Sequence, residues 1–278
     1  MGEVEPYTLV VSNPPHGQVN AAKAAQCLGL PPVDVNVKSH YPVPEIWLAH
    51  TNQEKMEAAA ATLRGAGLNV AAIPGEDLLR VPPRTLAKSF AFHDVHFSAQ
   101  LEDAAEVLGY DVSMIAVFCT LREQDAVRTS RASRARLSEA EEGLAPGAQV
   151  PSVEEILETS PFLDIYAPRV DRLLRLAIVP ELVDFSGLGE LAGPSAVGNL
   201  RHLEEEIEKR FRNARIDRRL MNMQLRQRHT AGLAHADKRR GYSYGSFGLL
   251  KLLKAVSPHL ADLGHLELSS RLAYLTAR

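Results

Sequence analysis

At 278 residues the chain exceeds the usual length of one domain, so two folded units are expected. Its composition, 45% hydrophobic and 23% charged, is ordinary for a globular protein and leaves apolar mass for a core in each half. The net charge of −3 hides an asymmetry: residues 1–155 carry 12 basic and 20 acidic side chains, residues 156–278 carry 19 and 14. Halves of opposite charge have different partners or face each other. No window approaches 18 uninterrupted apolar residues, and MGEVEPYTLVV lacks the basic start and apolar run of a signal peptide. The expectation is a cytoplasmic chain with no membrane partner.

From the start, Tyr7–Ser12 is a β-rich run closed by the turn cluster Asn13–Gly17. An alanine-rich helix over 18–28 stops at Gly29. Pro31 and Pro32 open a second short helix or extended stretch, 33–39, which Pro42 and Pro44 end. Glu45–Ala49 is a strand. Thr51 or Asn52 caps the clearest helix, 53–65, with Met56, Ala59, Ala60 and Leu63 as its apolar stripe. Gly65 and Gly67 end it, and Leu68–Ile73 is the returning strand. The order is β-α-α-β-α-β.

The opening strand YTLVV, the helix segment AAKAAQCLGL, the proline-marked approach to the second strand and ATLRGAGLNVAAI together resemble the C-terminal domain of the bacterial ribosomal stalk protein. The same pattern is similar to the adaptor of the Clp protease. The resemblance covers about a quarter of the chain and implies a docking fold. Stalk domains use a lysine-rich helix surface, of which Lys23 and Lys38 stand here; the acidic loop motif of the Clp adaptor is absent.

Lys88–His93 and Val95–Gln100 predict a hairpin, and Ser113–Thr120 a third strand or buried segment, giving a small β extension over 81–122. Residues 123–152 are rich in Arg, Ser, Ala, Glu, Gly and Pro and almost free of large apolar residues, the composition of a flexible linker. From 153 to 278 a mainly helical basic domain is expected. Its one convincing strand is Leu173–Val179. A helix starting at Pro194–Ser195 carries Leu200, Leu203, Ile207 and Phe211, Asp217 caps another, and short helices follow over 247–256, after Ser257–Pro258 and around 269–277. The fold class is thus α+β: a βααβαβ module (1–80), a β extension, a linker and a helical domain.

The strongest local chemical feature is the basic stretch 209–240, with eleven Lys or Arg against two Asp. Arg210, Arg212, Arg215, Arg218, Arg219, Arg226, Arg228, Lys238, Arg239 and Arg240 could neutralise phosphates or meet an acidic partner. The opposing expectation is a solvated face whose arginines pair with Glu204, Glu205, Glu206 and Glu208. A second candidate is the loop Asp184, Ser186, Gly187 and Gly189, where glycines after a strand let backbone N–H groups approach a phosphate. It lacks the third glycine of a dinucleotide fingerprint and the lysine of a P-loop, and a tight strand-to-helix turn fits it better.

His93 and His96 sit three apart in a hairpin, a spacing that would send their rings to opposite faces of a strand. Cys27 and Cys119 lie in apolar runs and are expected as buried free thiols. There is no CxxC, HExxH or GxSxG. No metal site, cofactor or catalytic residue is expected. The reading is a non-enzymatic adaptor or assembly protein with a protein partner, for which a homo-oligomer is also open. The alternatives are a nucleic-acid or ribosome-associated protein acting through 209–240, and an enzyme acting on a phosphorylated ligand.

Overall fold

A computed structural model describes residues 7–11, 17–39, 43–50, 52–119, 161–222 and 265–277. The chain is α+β and divides into two units, 1–82 together with 225–278, and 83–224.

The first unit realises the expected order: β1 (Tyr7–Val11), α1 (Ala21–Leu28), α2 (Pro32–Ser39), β2 (Glu45–His50), α3 (Gln53–Arg64) and β3 (Val70–Pro74), followed by α4 (Gly75–Arg80). The strands form an antiparallel sheet in the order β2-β1-β3. The local signals are those of the sequence. Asn52, one of the two expected caps, accepts from the Lys55 N–H at 2.9 Å and starts α3; Asn20, inside the helix expected over 18–28, accepts from the Lys23 N–H at 3.0 Å and starts α1. Gly29, at φ 65°, ends α1 in the left-handed conformation that a Cβ would oppose.

The pairing of β1 with β2 slips between Leu9 and Val10, leaving Trp47 as a bulge residue. The bulge sends the neighbours Trp47 and Leu48 to one side, where they join Val70 and Ala72 against Ala24, Leu28, Val35, Met56, Ala60 and Leu63. Ile46, Ala49, Ala71 and Ile73 turn the other way, onto Leu78 of α4 and onto Leu268, Leu272 and Leu275 of a helix from far along the chain, His265–Ala277.

The second unit holds β4 (Thr85–Leu86), β5 (Ser89–Phe92), β6 (His96–Gln100), β7 (Ala105–Gly109), β8 (Met114–Cys119), β9 (Phe162–Pro168), β10 (Leu173–Ile178), α5 (Ala196–Arg210) and β11 (Ala214–Asp217). β5, β6 and β7 make an antiparallel meander; the other five form a mixed sheet in the order β11-β8-β9-β10-β4, with β11 parallel to β8 and β4 parallel to β10. Period-two alternation places Met114, Ala116, Phe118, Leu163, Ile165, Ala167, Leu174, Leu176 and Ile178 in one core with Phe90, Phe97, Leu108 and the Leu200–Leu203–Ile207–Phe211 stripe of α5. The opposite face is buried too, so β8 and β9 are near-continuous apolar runs.

This division differs from the one composition suggests. The 81–122 extension does not stand apart, because β8 pairs with β9, residue 115 with residue 166. The 153–278 stretch does not form one domain: it supplies β9, β10 and β11 to the second unit and the helix 265–277 to the first. Long-range strand pairing leaves no trace in local periodicity, which is why composition missed it. The expected linker, the helix over 153–159 that Ser152 with Glu155 would cap, and the helices over 247–256 and after Pro258 lie outside the described residues.

Candidate functional site

Five of the ten basic candidates fall among the described residues, from the end of α5 to just past β11. Arg210, Arg218 and Arg219 are held by carboxylates of the chain. Arg210 Nε donates to Glu206 at 2.7 Å and its guanidinium lies 5.0 Å from the Phe92 ring centroid. Arg218 pairs with Glu204 at 2.8 Å and Glu208 at 3.2 Å, and Arg219 Nε grips both oxygens of Asp217 at 3.0 and 2.9 Å. The Arg210 hydrogen bond holds the Glu206 carboxyl below its ordinary value, whereas burial lifts that of Glu204 against the pull of Arg218. Arg212 and Arg215 are exposed. Arg226, Arg228, Lys238, Arg239 and Arg240 lie outside the described residues. Of the three held arginines, Arg218 ties the residue after β11 back to α5, whereas Arg210 pairs within α5 and Arg219 with its near neighbour Asp217.

The loop at Asp184 is a clamp. Its carboxylate accepts from the Ser186 N–H at 2.9 Å and the Ser186 hydroxyl at 2.8 Å, capping the 3-10 turn Phe185–Leu191. The Asp184 N–H donates to the Lys88 carbonyl at 2.8 Å and the residue bridges to Ser89. Gly187 lies so close to β5 that a Cβ there would be 1.8 Å from the Phe90 carbonyl oxygen. Its glycine serves packing against a strand rather than approach to a phosphate.

The two Ser186 hydrogen bonds, the backbone one first, hold the exposed Asp184 carboxyl below its ordinary value. A depressed carboxylate contributes stability that is present above its unfolded value and lost as pH falls through the folded one. Asp184→Asn should therefore lower the melting temperature slightly near neutrality, where the charged acceptor acts, and converge on wild type in acid, flattening the acid limb of the melting-temperature-against-pH profile. An acid limb identical to wild type would contradict this.

His93 and His96 do converge, contrary to the strand-spacing argument. They flank the two-residue turn Asp94–Val95 as cross-strand neighbours, with His93 N–H donating to the His96 carbonyl at 2.9 Å, and their rings stack at 4.3 Å. His93 Nε2 is 2.9 Å from Ser98 Oγ. Among the described residues no group of three or more His, Cys, Asp or Glu side chains is placed to hold a metal ion. Both cysteines are free. Cys119 is buried as expected, Cys27 half-buried. Burial raises both thiols above their ordinary value, Cys119 further through the Asp164 carboxylate, so neither is poised as a nucleophile.

Sequence reading missed the most heavily buried polar group. On the outer face of the five-stranded sheet, Asp164 accepts from Arg84 Nε through both oxygens at 3.0 and 2.9 Å and from Arg175 Nη2 at 2.8 Å. The Arg175 and Asp164 side chains are wholly buried. Each guanidinium also lies over a ring, Arg84 over Phe162 at 4.9 Å and Arg175 over Tyr166 at 5.1 Å. A signal was present: FLDIYAP and LLRLAI each carry one charge of opposite sign in an otherwise apolar strand.

It also missed a surface feature of the first unit. The inner side of α2 is fixed by buried Val35 and Ser39 and by Lys38, which pairs with Glu45 at 3.7 Å and lies 5.3 Å from the Trp47 ring centroid. The outer side carries Val33 and Val37 one turn apart, 66% and 69% exposed. No helix among the described residues is long and apolar enough to cross a membrane. No protein-family model, curated protein or solved structure matches the chain.

Proposed function

We propose that the chain is a non-enzymatic adaptor or assembly protein that docks a protein partner on the outer side of α2. The observation that carries this reading is the Val33–Val37 pair. Valine is a mediocre helix former, so neither local propensity nor the core calls for it at these positions. An apolar pair on the side of a helix turned away from the core is a surface that a partner can cover. The nucleic-acid reading has weaker support, since Arg210, Arg218 and Arg219 are held in ion pairs within the chain.

The test is affinity purification of the full-length chain, wild type against Val33→Asp/Val37→Asp, with mass spectrometry and ultraviolet absorbance of the recovered material. Covering two largely exposed valines contributes about 2 kcal/mol, roughly a 30-fold change in Kd. A specific protein recovered by wild type should be lost from the double variant while the circular dichroism is unchanged. Equal recovery by both chains refutes the α2 surface. Nuclease-sensitive material lost on Arg212→Glu/Arg215→Glu would favour the nucleic-acid alternative.

A further inference from the structure

The first unit is assembled from two distant stretches of sequence. Its βααβαβ portion covers one side of its own sheet with α1, α2 and α3. Among the described residues the other side, Ile46, Ala49, Ala71 and Ile73, receives only the short α4 from the same stretch, and Leu268, Leu272 and Leu275 complete the cluster. The helix His265–Ala277 (α6) is seated, not laid on a surface. Leu268, Ser269, Ser270, Arg271, Leu272, Ala273 and Tyr274 are all buried. Arg271, itself buried, donates through Nη1 to the Leu78 carbonyl at 2.6 Å and through Nε to Glu267, so a charged side chain is satisfied only with the helix in place. The residues it joins are 193 apart.

A module of about 70 residues has a core close to the minimum for independent stability, and one open sheet face takes it below that minimum. During synthesis residues 7–80 emerge first, the second unit next and α6 afterwards. We propose that α6 is a folding latch: the βααβαβ module reaches its packed form only when this helix docks, so the module is conditional on a segment made after the whole second unit. The latch is a property of the core and stands whether or not α2 is a docking surface.

The experiment is hydrogen exchange on the full-length chain, wild type against Leu272→Glu and the milder Leu272→Ala, together with the emission of Trp47, the single tryptophan, which lies in the first unit. Exchange in β2, β3 and α4 should quicken at least about 10-fold in Leu272→Glu and by less in Leu272→Ala, and the Trp47 emission should move to longer wavelength. Protection in β8, β9 and β10 should stay at its wild-type level. Unchanged protection over 45–80 would overturn the latch. So would protection lost equally in both units, in either variant, because the helix would then hold up the whole chain rather than the module.

Discussion

Asp164→Ala should cost the second unit about 3–5 kcal/mol, the expectation for a buried ion pair broken from one side. The reason lies in what remains. Arg175 is wholly buried and Arg84 nearly so, and both lose the carboxylate that they share. The loss also sits at the centre of the sheet, since Asp164 is cross-strand partner to Val117 on β8 and to Ala177 on β10. Replacing both charges by apolar groups, Asp164→Leu/Arg175→Met, should cost less than Asp164→Ala alone. That variant removes the most deeply buried guanidinium with its partner, and Arg84, 12% exposed, stays closest to water. Denaturant titration followed by far-ultraviolet circular dichroism measures both. An Asp164→Ala variant within about 0.5 kcal/mol of wild type would show that the cluster contributes little.

The parts of the fold that were legible in the sequence are those written in neighbouring residues. The cap at Asn52, the stop at Gly29, the hairpin around Asp94–Val95 and the α5 stripe are each set within a few positions, and the structure has them where the sequence places them. The parts that were not legible depend on distance along the chain. β9 carries no strand expectation of its own until β8 and β10 flank it, and four-residue β11 exists because it pairs with β8 across about a hundred residues. The segment carrying Leu220, expected as a helix capped by Asp217, is the short 3-10 turn Arg219–Asn222 among the described residues, and Asp217, the last residue of β11, does accept from the Arg219 N–H at 2.9 Å. The same limit governs the candidate sites. A count of arginines over 209–240 suggests a binding face; which of them are already spoken for by Glu204, Glu206, Glu208 and Asp217 depends on how α5 and β11 lie together.

Gly187→Ala should be the most damaging single-methyl change in the second unit. Its added Cβ would stand 1.8 Å from the Phe90 carbonyl oxygen and 2.7 Å from the carbonyl carbon, and these are backbone atoms that cannot rotate aside. β5 cannot retreat, because it is paired with β6 along its length and tied to the loop by the Asp184–Lys88 hydrogen bond. The 185–191 segment must therefore lift, separating Phe185 from Phe90, whose rings meet edge to face at 5.8 Å. Overpacking of this kind costs about 3 kcal/mol or more, a fall of roughly 10 °C in the melting temperature of a unit this size. Gly189 is the internal comparison. It sits at φ 58°, ψ −126° with open space around its Cβ position, so Gly189→Ala meets only the backbone penalty of a conformation that residues with a Cβ rarely adopt, about 1–3 kcal/mol. The order Gly187→Ala worse than Gly189→Ala identifies the loop as a packing clamp. The reverse order would mean that backbone freedom at Gly189, not closeness at Gly187, is what these glycines supply, and would return the loop to consideration as a ligand site.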